Sequence, residues 1–444
     1  MTATTAATGE AAASTGASTG AGTGASAGTT TGTATAEAGA TADAGAAPGR
    51  GPARAGGRLL LLDGLRFAAA AAVVLYHFTA TSTAGAYWQQ RPADVFGPLN
   101  AASRYGWLAV ELFFVLSGFV ILLSAQGRTL AQYTGSRVGR LFPAYWVAVL
   151  VTVLLQQVWS GGRHSDASDT LLNLTMAPDV FGAAPVQVVF WTLLVELKFY
   201  VLVGVLLALG GLGRGRVVTF AVAWPVVGLV AQRAGWSGLA DALVASYAPY
   251  FGVGMLLFLL RRSAARRAGS PATRAARRAG LRADAPVLAA LAVDVALSLW
   301  HVADRADHAS QLQGVAVSPA VAAAIVLASV AAVWLASAPR AAVRGPRLAA
   351  VLTVAGALTY PLYLVHTQFG YAVIDWMAPR AGVWLTLAAA VAVTVALAAV
   401  IHYAVERHAM RPLRRGVERA LASVAARTVP PATTAPATTA AGLR

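Results

Sequence analysis

The chain has 444 residues, of which 57% are hydrophobic and only 12% charged, with a mean hydropathy of +0.62 and a formal net charge of +16. The charged share is about half of that in ordinary soluble domains, and apolar runs recur between residues 67 and 403. These features exclude a large soluble domain and describe an all-α, polytopic membrane protein. The lack of cysteine excludes disulfides, thiolate nucleophiles, Cys-bound metals and lipoprotein anchoring.

Residues 1–57 are almost wholly Ala, Thr, Gly and Ser. Such a segment cannot bury a core and reads as a disordered cytoplasmic tail. It lacks the basic start, apolar stretch and cleavage site of a signal peptide, so the first span is expected to be an uncleaved anchor. A membrane domain is expected over 58–415, and a mostly disordered cytoplasmic tail over 416–444. Ten spans are expected, at roughly 67–84, 107–123, 141–158, 187–209, 217–232, 243–260, 286–301, 319–337, 349–372 and 383–403. Pro225, Pro249 and Pro361 fall inside spans, which neighbouring helices can tolerate. The 261–285 connection, with eight arginines and one aspartate, is the longest expected cytoplasmic loop, and 159–186 the longest external one.

Of the 33 arginines, 27 fall in alternate segments on one expected side of the membrane and six in the others. Positively charged segments are retained inside, so both termini are expected in the cytoplasm. The basic balance therefore reports topology and gives no reason to expect a nucleic-acid partner. No internal repeat is visible, which argues against a transporter built from duplicated halves.

The first span carries Arg66 at its mouth and His77 expected near its middle. Eleven steps of about 100° bring the two back to nearly the same helix face, about 16 Å apart along the axis. Such a stripe could hold a long anionic ligand, with phosphates on the guanidinium and the reactive end at the imidazole. His77 reads as a general base or as a satisfied core imidazole. Arg66 alone also reads as a topogenic or snorkelling residue. Asp63 suits a helix cap or a partner for Arg66.

An ordered series of motifs extends this reading. It runs from Leu62-Asp63-Gly64-Leu65-Arg66 through His77 to Glu111-Leu112-Phe113-Phe114-Val115-Leu116-Ser117-Gly118-Phe119 and Arg137-Val138-Gly139-Arg140-Leu141-Phe142-Pro143. Phe190-Trp191-Thr192-Leu193-Leu194-Val195-Glu196 and Tyr360-Pro361-Leu362-Tyr363-Leu364-Val365-His366 follow. In this order, over some 350 residues, the chain resembles acyltransferase family 3, the membrane proteins that O-acylate surface polysaccharides, peptidoglycan and some small molecules.

The resemblance implies transfer of an acyl group, usually acetyl, from acyl-CoA as co-substrate, with no permanently bound cofactor and no metal. The expected acceptor is a hydroxyl of a cell-surface glycan or a small molecule, and the expected site a bacterial cytoplasmic membrane. His77 is the expected base, with Glu196 at similar depth supporting the imidazolium in the manner of a hydrolase triad. Arg66, Arg137 and Arg140 are the expected phosphate ligands, the last two matching the family's RxxR element or serving as positive-inside punctuation. Glu111, where the family more often has Asp, and Tyr363 and His366 are candidates for substrate binding. Glu196 could instead pair with Lys198 or an arginine. Ser117 and Gly118 read as a helix-packing patch. Glu406 matches the family's terminal Glu-Arg-Pro element, with His408 in place of Pro. Asp294 has no counterpart in the family pattern, and reads as an ion-pair partner, a cavity lining or the sign of a misplaced boundary. Two rivals remain at this level. One is a transporter or flippase of a lipid-linked sugar or small molecule, and the other a glycosyltransferase using Asp166, Asp169 and Asp179.

Overall fold

The first helix, α1, spans Leu60–Thr79 in a computed structural model that describes residues 59–268, 274–338 and 343–428. It begins seven residues before the expected span and ends five before it. Arg66 thus lies two turns inside the helix and His77 in its last turn, not at mid-span. The early start follows from how Asp63 and Arg66 are shielded. Gly356 of a later helix leaves no side chain where Asp63 packs, since a Cβ there would stand 2.6 Å from that of Asp63. Asp63 and Arg66, both half-buried, are thus accommodated inside the helix rather than before it.

Short helices at Ser82–Trp88, Pro92–Phe96 and Pro98–Ser103 lead to α2, Ala109–Ala125. Helix α3, Leu130–Val158, has 29 residues, about 43 Å of rise. It opens with a Thr129/Gln132 capping box, eleven residues before the expected span, which places Arg137 and Arg140 inside the helix. Then come α4 (Trp191–Ala208), α5 (Arg214–Arg233), α6 (Ala248–Ala268) and α7 (Arg274–Gln313). The chain continues with α8 (Pro319–Ala336), α9 (Pro346–Met377), α10 (Val383–Val400) and, after a π-helical turn at Ile401–Glu406, α11 (Arg407–Thr428).

Among the described residues, nine helices are long and apolar enough to cross a membrane. The expected span at 243–260 corresponds to α6, which is not among the nine because its end is rich in arginine. Yet residues 248–260 are all buried. Helix α6 crosses α2 at two glycines in backbone contact: a Cβ on Gly118 would lie 2.1 Å from the Phe251 carbonyl oxygen, and one on Gly254 2.0 Å from that of Val115. Small residues let transmembrane helices approach this closely, as expected for Gly118.

Two expectations shift. The 261–285 stretch is mostly helix, shared between the end of α6 and the start of α7, with 269–273 outside the described residues. Residues 416–428, assigned to a tail, continue α11, which packs on α3 where Gly135 and Gly139 make room and Arg414 pairs with Glu418 at 2.7 Å. The expected tails at 1–57 and beyond 428 lie outside the described residues.

Candidate functional site

A cavity of about 300 Å³ lies among α1, α2, α3, α4 and α9. Its polar lining includes Arg66 from α1, Arg137 and Arg140 from α3, Glu196 and Tyr200 from α4, and Ser117 from α2. Arg137 and Arg140 share one face of α3 because they are three residues apart. The Arg137 guanidinium donates to Ser136 Oγ at 2.8 Å and stands 5.8 Å from the centre of the Tyr200 ring, while its Nε is buried without a partner. Arg66 lies close enough to Arg140 to feel its repulsion, offset by Glu196 and Asp63. Three guanidiniums against one carboxylate in its lining leave the cavity with an excess of positive charge, and Arg137 Nε as a donor without a partner. Such a cluster suits phosphate oxygens, which accept from guanidinium forks.

Glu196 is fixed by two hydroxyls: Ser117 Oγ donates to its Oε1 at 2.5 Å, and the Tyr200 hydroxyl donates to the same oxygen. The expected pairing of Glu196 with His77 is therefore not the geometry found. Depth alone suggested that pairing, but α4 turns Glu196 toward the arginine cavity. Lys198 pairs instead with Asp241 at 2.7 Å.

His77 has different neighbours. Its ring centre lies 5.2 Å from that of His366, and the Tyr371 hydroxyl stands 3.2 Å from its carbonyl oxygen and 3.4 Å from its Nδ1. His366 is fully buried, and its Nδ1 lies 2.8 Å from the Tyr363 carbonyl oxygen. A carbonyl can only accept, so that contact puts the proton on Nδ1 and leaves Nε2 as a bare acceptor. Nε2 is buried and has no partner.

Tyr363 stands between the two groups. It lines the cavity, donates to the Val189 carbonyl at 3.2 Å, bonds Thr192 Oγ1 at 2.7 Å, and has its ring centre 5.6 Å from that of His366. Tyr363 is thus a residue that both lines the arginine cavity and lies beside the imidazole pair. Glu111 reaches neither. It is buried at the start of α2 with Oε2 unpartnered, and its charged neighbour is Arg305 on α7.

Sequence reasoning read Ser117 only as helix packing and gave Thr192 and Tyr200 no role, although Ser117 and Tyr200 hold Glu196 and Thr192 bonds Tyr363. A signal for Ser117 was available, because Val110, Phe113, Ser117 and Val120 recur at three- and four-residue spacing and all line the cavity. Among the described residues, no group of three or more metal-ligating side chains occurs.

No curated protein and no solved structure matches the chain. A family model described as an acyltransferase domain, that of acyltransferase family 3, matches residues 59–403. That range runs from the first turn of α1 to the π-helical turn, and contains the cavity and both imidazoles. The chain, a multi-pass membrane protein, belongs to acyltransferase family 3.

Proposed function

We propose that this protein transfers an acyl group, acetyl in the first instance, from acyl-CoA to a hydroxyl of a cell-surface glycan or small-molecule acceptor in the cytoplasmic membrane of a bacterium. The observation that carries the reading is the convergence of Arg66, Arg137 and Arg140 on one cavity next to the His77–His366 pair. The guanidiniums hold the phosphates of coenzyme A from the basic, cytoplasmic end. The pantetheine arm, comparable in length to the Arg66–His77 separation of about 16 Å, passes Tyr363 and carries the thioester to the imidazoles.

There His77 takes the proton of the acceptor hydroxyl as its oxygen attacks the thioester carbon. The carbon–sulfur bond breaks, the acyl group stays on the acceptor, and the sulfur leaves and takes up a proton as the free thiol. Glu196, held by Ser117 and Tyr200, keeps the three guanidiniums from repelling one another out of register.

The test is transfer of labelled acetyl from acetyl-CoA in membranes carrying the wild type, His77→Ala or the triple Arg66→Ala/Arg137→Ala/Arg140→Ala variant. Loss of transfer in both is expected. Near wild-type turnover in either sinks the proposal.

A further inference from the structure

Asp294, in the middle of α7, takes no part in the site described above. It is fully buried, and both carboxyl oxygens lack a hydrogen-bond partner. Among the described residues no guanidinium or ammonium group pairs with it. An ionised carboxylate left in that condition would be among the most costly groups a membrane interior can hold.

A second orphan lies opposite. Pro225, inside α5, has no N–H, so the carbonyl four residues earlier, that of Ala221, loses its ladder donor. Ala221 is itself fully buried, away from any water that could replace the bond. In transmembrane helices a carbonyl freed by proline is satisfied from a neighbouring helix.

The two orphans converge on one point of the helix between them. A Cβ built on Gly252 of α6 would lie 2.2 Å from Asp294 Oδ2 and 3.3 Å from the Ala221 carbonyl oxygen. Any larger residue at 252 would drive into the carboxyl group. Glycine there keeps open the space in which an acid on α7 and a bare carbonyl on α5 meet.

We propose that Asp294 is a proton-binding site: a neutral carboxylic acid whose O–H is donated to the Ala221 carbonyl across the gap left by Pro225. One proton then satisfies both orphans and ties α5 to α7 over the face of α6. The same α6 crosses α2 at Gly118 and Gly254, next to the Ser117 that holds Glu196, so the tie positions the helix against which the cavity carboxylate is set.

Infrared spectra of the purified protein in lipid nanodiscs at neutral pH test this without reference to catalysis. The difference between wild type and Asp294→Asn is expected to contain the carbonyl stretch of a neutral carboxylic acid, shifting down in D2O. Pro225→Ala restores an N–H to α5 that competes for the Ala221 carbonyl, so it is expected to move that band. No acid band in the first difference, or a band that Pro225→Ala leaves in place, overturns the proposal. Should Asp294→Asn fail to fold, the difference between wild type and Pro225→Ala decides alone, because a moved band appears there as a paired loss and gain.

Discussion

Ionisable side chains inside apolar helices carried the residue-level reading. His77 stood out because an imidazole within a span is costly without a purpose, Arg66 because it shares a helix face with His77, and Arg137 and Arg140 because they match the family's RxxR element at the mouth of a span. Their partners were not legible in the same way. Depth along a helix can be read from sequence, but rotation against neighbours depends on how every helix packs. So Glu196 went to Ser117 and Tyr200, and the imidazole beside His77 came from α9. The two groups make separable predictions. His77→Ala is expected to lower kcat by about 100- to 10,000-fold, the usual worth of a general base, while leaving binding of acetyl-CoA in place. Arg137→Ala is expected to act the other way, raising KM for acyl-CoA about 10- to 150-fold. That range follows from about 1.5–3 kcal/mol for a hydrogen bond to a charged group. Steady-state kinetics in nanodiscs separate the two, and a kcat defect alone in Arg137→Ala would remove it from the phosphate site.

Helix existence was legible, and helix ends were not. In α1 and α3 the expected boundaries were drawn at charged residues, whereas both helices run through them. Those charges face protein rather than lipid, which hydropathy along one strand of sequence cannot register. Helix α6 shows the same limit from the other side. Its arginine-rich end lowers its mean hydropathy, though residues 248–260 are the most enclosed stretch of helix in the bundle. Glycine is what lets α6 sit there. Gly254→Val would put carbon atoms into the Val115 carbonyl, and backbone cannot move aside as a flexible side chain can. Overpacking commonly costs about 1–3 kcal/mol, and contact with backbone belongs at the upper end. A lowered thermal midpoint in detergent is expected for Gly254→Val. Gly213→Val at the start of α5, where a Cβ would meet nothing within 4 Å, is expected to leave it nearly unchanged. Equal midpoints for the two would show that the α2–α6 crossing is not tight.

At the scale of the molecule, the status of α6 decides the topology, because an odd number of crossings puts the termini on opposite sides and an even number on the same side. Asp284 indicates which count the packing of the described residues favours. It is buried ten residues into α7 and bonds both Arg214, at the start of α5 (2.6 Å), and Arg267, at the end of α6. The start of α5 and the end of α6 therefore share one level. Helix α5 leaves that level and α6 returns to it, so among the described residues the packing predicts a crossing at α6 and ten in all. The basic ends agree, since Arg128, Arg214, Arg261 and Arg347 all lie at the same end of alternating helices. The packing thus predicts that Leu59 and Thr428 lie on the same, cytoplasmic side, with 159–186 outside. Paired reporter fusions check this: one reporter active only in the cytoplasm and one only outside it, each placed after residue 428, within 159–186 and within 234–247. The first site is expected to score inside and the other two outside. If 234–247 scores inside while 159–186 scores outside, α5 does not cross, and the ten-helix count fails with it.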